Sequence, residues 1–83
     1  MTMRKPMVHL NGTGREMLVN GYEKAYDAIR EAQKALRKIE FNARDYYVQG
    51  ADAWPEAVKE MDERFLALGR IESELEEILI ALD

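Results

Sequence analysis

The sequence predicts an all-α fold: an antiparallel two-helix hairpin with a short extended N-terminal arm, assembling into a four-helix-bundle-type homo-oligomer. Three observations predict it. Apolar or small residues recur at Leu18, Tyr22, Ala25, Ile29, Ala32, Leu36 and Ile39, in alternating steps of four and three that mark one helix face. A second stripe runs through Trp54, Val58, Met61, Phe65, Leu68, Ile71, Leu75, Ile78 and Leu82. The 83-residue chain has no cysteine, so neither a disulfide framework nor a thiolate zinc site supports a domain of this small size.

Residues 1–12 read as the arm and 14–40 as the first helix. Thr13 followed three residues later by Glu16 has the spacing of a capping box, in which each side chain satisfies a backbone N–H at the helix start. Charged residues such as Glu23, Lys24, Asp27, Arg30 and Glu31 fill the outer face. Lys34, Arg37 and Lys38 fall in the last turns, where cations favour the helix dipole.

The connection, residues 41–53, is "FNARDYYVQGADA", longer than the roughly two to eight residues usual between helices. Its aromatic and charged groups make it the strongest functional hint outside the arm. The second helix is expected over 53–82. Asp52 is placed to cap it, and Pro55 falls in the first turn, where a missing N–H costs nothing. Phe65, Leu68 and Ile71 are two steps of three in a row, which predicts a local change of packing face. In the hairpin, Met61, Phe65, Leu68 and Leu75 are expected to sit over the small Ala25 and Ala32.

A lone hairpin is energetically weak. Burying a Leu or Ile side chain gives roughly 1.5–3 kcal/mol, while ordering each residue's backbone costs roughly 1–2 kcal/mol. Two helices leave half of each apolar stripe wet, so a homo-oligomer, most simply a dimer of hairpins, is expected.

Twelve basic against sixteen acidic residues give a net charge of −4, which argues against duplex DNA or RNA as a partner. The N-terminal stretch MTMRKPMVHL has no apolar run long enough for a signal peptide, and Ile78–Leu82 is too short to span a bilayer. These features predict a soluble, cytoplasmic protein with no membrane partner.

The stretch "VHLNGTGRE", residues 8–16, has the order of parts of a phosphate-binding turn. A dinucleotide fingerprint fails because Met17 stands where the third glycine belongs, and no Gly-Lys-Ser/Thr completes a P-loop. The stretch reads as a helix cap. Yet a helix start with free amides also attracts anions, and His9, Asn11, Thr13 and Arg15 could converge there. In the loop, Tyr46, Tyr47 and Trp54 either close the bundle end as an apolar plug or stack a planar ligand, with Arg44 and Gln49 beside them.

A helix over 14–40 would span roughly 40 Å, so arm and loop sit at opposite ends of one hairpin. They can form one site only between subunits packed head to tail. The candidate ligand-binding set is then His9, Asn11, Thr13, Arg15, Arg44, Tyr46, Tyr47 and Gln49. Catalysis lacks support: the single serine, Ser73, lies in the acidic stretch ESELEE with no base beside it. One histidine and no His-x-x-x-His or Glu-x-x-His pair argue against a metal, and no cofactor is expected. ESELEE itself reads as a solvated face, with Arg4, Lys5 and Arg15 close by to offset its charge.

The pairing of "HLNGT" with "NARDYYVQG" resembles a family of small helical proteins of bacteriophages and prophages. The resemblance implies a helical hairpin, a phage setting and action by binding in the host cytoplasm, and it carries no catalytic residues. Two functions follow as expectations. One is sequestration of a small anionic, nucleotide-like signalling molecule, an anti-defence role, at inter-subunit sites. The other is a protein–protein interaction module, an inhibitor of a host protein or a virion-assembly component, using the acidic helix face or the apolar stripe of Ile78, Leu79, Ile80 and Leu82.

Overall fold

Two helices carry the fold of the computed structural model, which describes residues 3–83. Helix α1 spans Arg15–Arg37 and helix α2 spans Ala53–Leu82; they pack against each other as an antiparallel pair. Between them lie two single-turn 3-10 segments, Ala43–Asp45 and Tyr47–Gln49. No strand occurs among the described residues.

The α1 start corrects the expected cap. Gly14, extended at φ −63° and ψ 153°, occupies the N-cap and makes no side-chain bond. Moving the cap one residue past Thr13 takes Glu16 out of the position from which it would reach back, so no capping box forms. Glu16 still places negative charge in the first turn, where the dipole favours it.

At the other end α1 stops three residues before the expected 40. The N–H of Lys38 donates to the Ala35 carbonyl and that of Ile39 to Leu36, three-residue bonds that tighten the final turn. The chain then extends through Asn42 at φ −127° and ψ 141°. Helix α2 begins at Ala53 as expected. Asp52 holds the N-cap position, but its right-handed helical φ and ψ leave its carboxylate without a capping bond.

The seam between the helices is rotated from the expected one. On α1 the half-buried residues are Val19, Tyr22, Tyr26, Ile29, Gln33 and Leu36, with Leu18 at the edge. Ala25 and Ala32 are exposed, so the large residues of α2 do not sit over them. On α2 the positions Met61, Phe65, Leu68, Glu72, Leu75, Leu79 and Leu82 keep the four-three alternation. The seam stays in register by passing through Glu72, although Ile71 beside it is also half-buried.

Polar groups on α1 make that possible. Gln33 Nε2 donates to Glu72 Oε1 at 2.9 Å, and Arg30 Nε lies 4.0 Å from Glu72 Oε2. ESELEE is therefore not uniformly solvated: Glu72 and Glu74 are half-buried, and Glu74 accepts from Arg70 at 3.1 Å. The ion pairs to ESELEE come from Arg30 and Arg70 rather than from Arg4, Lys5 or Arg15.

Burial is sparse. Only Ala57, Ile78 and Leu82 are buried among the described residues, and none of them completely. The radius of gyration is 18.2 Å, against about 12 Å for a compact chain of this length. The accessible surface is 6755 Å², against about 5,100 Å² for a compact monomer of this mass. The molecule is a rod of 60 × 27 × 17 Å that leaves much apolar surface open.

Candidate functional site

The expected ligand residues lie at the two ends of this rod. At the arm end, His9, Asn11, Thr13 and Arg15 are all exposed. The backbone turns there: the Gly12 N–H donates to the His9 carbonyl at 3.1 Å. A Cβ on Gly12 would stand 2.5 Å from His9 Nε2, so the His9 ring lies against the glycine. Arg15 is engaged with the other end of the chain. Its Nε donates to the Leu82 carbonyl at 2.6 Å and its Nη2 to Asp83 Oδ1 at 3.5 Å.

That contact satisfies a carbonyl in the last turn of α2 with a cation, as the helix dipole favours. Arg15 also borders a shallow cleft of about 230 Å³ with Glu23, Glu76 and Asp83. Three carboxylates beside one guanidinium give this end an acidic character, which opposes binding of a small anion.

At the loop end, Phe41, Tyr46 and Trp54 form an aromatic cluster. Ring centroids are 4.7 Å apart for Phe41–Trp54 and 5.7 Å for both Tyr46–Trp54 and Phe41–Tyr46. The two 3-10 turns bring Tyr46 back onto the start of α2 to make this plug. Tyr47 points away and is 68% exposed, and Arg44 and Gln49 are exposed as well. Tyr46 thus follows the plug reading of the loop aromatics. The cleft beside Arg15 is lined by none of His9, Asn11, Thr13, Arg44, Tyr47 or Gln49.

A further candidate surface is the flank of α1 beside the seam. Gly21, Ala25, Ala28, Ala32 and Ala35, all exposed, continue a four-three alternation between Leu18 and Ile39. At 100° per residue this row lies about 100° around the helix from the row that faces α2. The apolar arc of α1 is therefore about twice as wide as one neighbouring helix requires. Its N-terminal part opens into an apolar groove of about 280 Å³ bounded by Met17, Leu18, Gly21, Tyr22, Ala25 and Leu75.

This row was partly legible in the sequence. Ala25 and Ala32 belong to the expected stripe, but Gly21, Ala28 and Ala35 were missed because small residues carry little hydropathy signal. The available signal was their shared spacing.

Among the described residues no cluster of His, Asp or Glu could hold a metal ion, and no helix is long and apolar enough to cross a membrane. Neither a family model, nor a curated protein, nor a solved structure matches the chain.

Proposed function

We propose that this chain is a non-catalytic binding protein that acts through protein–protein contact, with the open face of α1 as its contact surface. The observation that carries this reading is the exposed row of small residues from Gly21 to Ala35, with half-buried Leu18 at its start, on a hairpin with only three buried residues among those described. A helix with an apolar arc wider than its intramolecular partner is built to receive a second helix. The small side chains let another helix axis come near the close end of the usual 8–10 Å range.

Sequestration of a nucleotide-like anion receives less support. One of its expected ligands, Arg15, is held by the C-terminus, and the carboxylates around it repel an anion. The acidic face of α2 also gives less than expected, because Glu72 and Glu74 already have partners. A phage setting, suggested by "HLNGT" and "NARDYYVQG", suits a small protein that works by occupying a surface.

The test is to place a photo-crosslinking amino acid at Ala28 in cells and irradiate. A discrete covalent adduct to a protein is expected from Ala28 and not from the far side of α1 at Arg30. Absence of any adduct from Ala28 and from Ala32 would overturn the reading.

A further inference from the structure

We infer that the occupant of this face is a second copy of the chain, with the two α1 helices crossing antiparallel about a two-fold axis. The inference rests on the interaction reading above and names its partner. Charge, register and symmetry argue for it independently.

The open row defines heptad positions: Leu18, Ala25 and Ala32 at one core site, and Gly21, Ala28 and Ala35 at the other. An antiparallel pair alternates these sites across the interface. In the core register that most nearly superposes the helix midpoints, Leu18 faces Ala35, Gly21 faces Ala32 and Ala25 faces Ala28 of the second copy.

In that register the flanking residues on the side away from α2 are complementary. Lys24 of each copy falls opposite Glu31 of the other, whose carboxylate also accepts from Lys34 of its own helix at 3.1 Å, so the contact carries two opposite-charge pairs. A parallel pairing would set Lys24 against Ile29, which offers no counter-charge.

Symmetry supplies the remaining helices. Helix α2 lies about 100° around α1 from the open row. The two-fold relating antiparallel helices keeps that direction, so both α2 helices fall on the same side of the α1 pair. The product is a four-helix bundle in which Tyr22 meets Ile29 of the second copy and the groove beside Leu75 is closed. A contact about 35 Å long and two helices wide covers roughly 700 Å² per copy, or roughly 1,400 Å² in all, within the range of stable dimers.

The test uses the whole purified chain, which has no cysteine of its own. Single variants Gly21→Cys and Ala32→Cys are oxidised separately and as a mixture. A Cβ at Gly21 meets nothing within 4 Å, so that change is tolerated in the single chain. Like positions 21 and 21 of an antiparallel pair lie roughly 16 Å apart along the axis, far beyond disulfide reach. A disulfide in the mixture and none in either variant alone is expected. Self-crosslinking of the single variants would overturn the antiparallel arrangement.

Sedimentation equilibrium supplies the second readout. The wild-type chain is expected as a dimer. Lys24→Glu or Glu31→Lys alone should raise its dissociation constant roughly tenfold, because each converts two attractions into two repulsions. The exchanged pair Lys24→Glu with Glu31→Lys should return within about threefold of wild type. Single reversals without effect would overturn the register. A wild-type monomer at all concentrations would overturn the inference. In that case a crosslink from Ala28 to a different protein in cells would leave the interaction reading standing, and no crosslink would remove both.

Discussion

Arg15 and Leu82, 67 positions apart, are joined by a hydrogen bond of 2.6 Å from the guanidinium Nε to the backbone carbonyl. The first residue of α1 thereby closes the last turn of α2, and a polar latch joins the buried Ile78 and Leu82 side chains at the open end of the hairpin. The nearby Asp83 contact adds little, since Asp83 is 91% exposed and 3.5 Å away. Arg15→Ala is expected to cost about 1 kcal/mol, a charge-assisted bond discounted for its half-exposed donor. Hydrogen exchange at the amides of Leu79 to Leu82 should accelerate. Asp83→Asn should change both readouts far less.

The Gln33–Glu72 bond is the polar step in an otherwise apolar seam. Gln33→Leu alone removes the near partner of a half-buried carboxylate and is expected to cost about 1 kcal/mol. Replacing both, Gln33→Leu with Glu72→Leu, should reverse the sign. An apolar pair restores the seam and should raise the melting temperature by about 4–8 °C, the equivalent of about 1 kcal/mol in a domain of this size. Thermal unfolding of the two variants decides this.

The aromatic cluster separates two adjacent tyrosines. Tyr46→Ala removes a ring packed on both Phe41 and Trp54 and should cost about 2 kcal/mol, below the range for fully buried rings because the cluster is half-exposed. Tyr47→Ala, at an exposed position, should stay within about 0.5 kcal/mol. Trp54 is the only tryptophan, so its emission maximum should shift to the red in the first variant and stay in place in the second.

Gly50 and Gly69 should respond oppositely to alanine. A Cβ at either meets nothing within 4 Å, so the difference lies in the backbone. Gly50 sits at φ 122° and ψ 171°, a region almost confined to glycine, and Gly50→Ala should cost about 1–3 kcal/mol. Gly69 is interior to α2, where Gly69→Ala should stabilise by about 0.5–1 kcal/mol. Chemical denaturation of the two proteins reads both.

Both helices, the loop between them and the underpacked character of the hairpin were legible in the sequence. They follow from periodicity, which sums over many residues and survives local error. What periodicity leaves open is which of two adjacent apolar rows faces the neighbour. On α1 the rows through Ala25 and Ala32 and through Tyr26 and Gln33 share the same period. Bulk chose between them, since the larger Tyr26 fills the seam and Glu72 rewards Gln33 with a hydrogen bond. The capping box failed for a related reason: its pattern fixes spacing, whereas the helix start was fixed one residue later at Gly14. The arm and loop residues expected to share a ligand do stand at opposite ends of the hairpin. Sequence could not show that Arg15 is held by Leu82, because that bond joins the two ends of the chain.

The latch between Arg15 and Leu82 also determines how the molecule responds to load. Both helices of the hairpin have their free ends on the same side, so tension applied through the chain ends peels α1 from α2 progressively. Arg15–Leu82 opens first, then the Gln33–Glu72 pair, then Arg37 over the face of Phe65. The chain is mechanically soft along its own axis of connection, and a second hairpin laid across α1 would act as its splint.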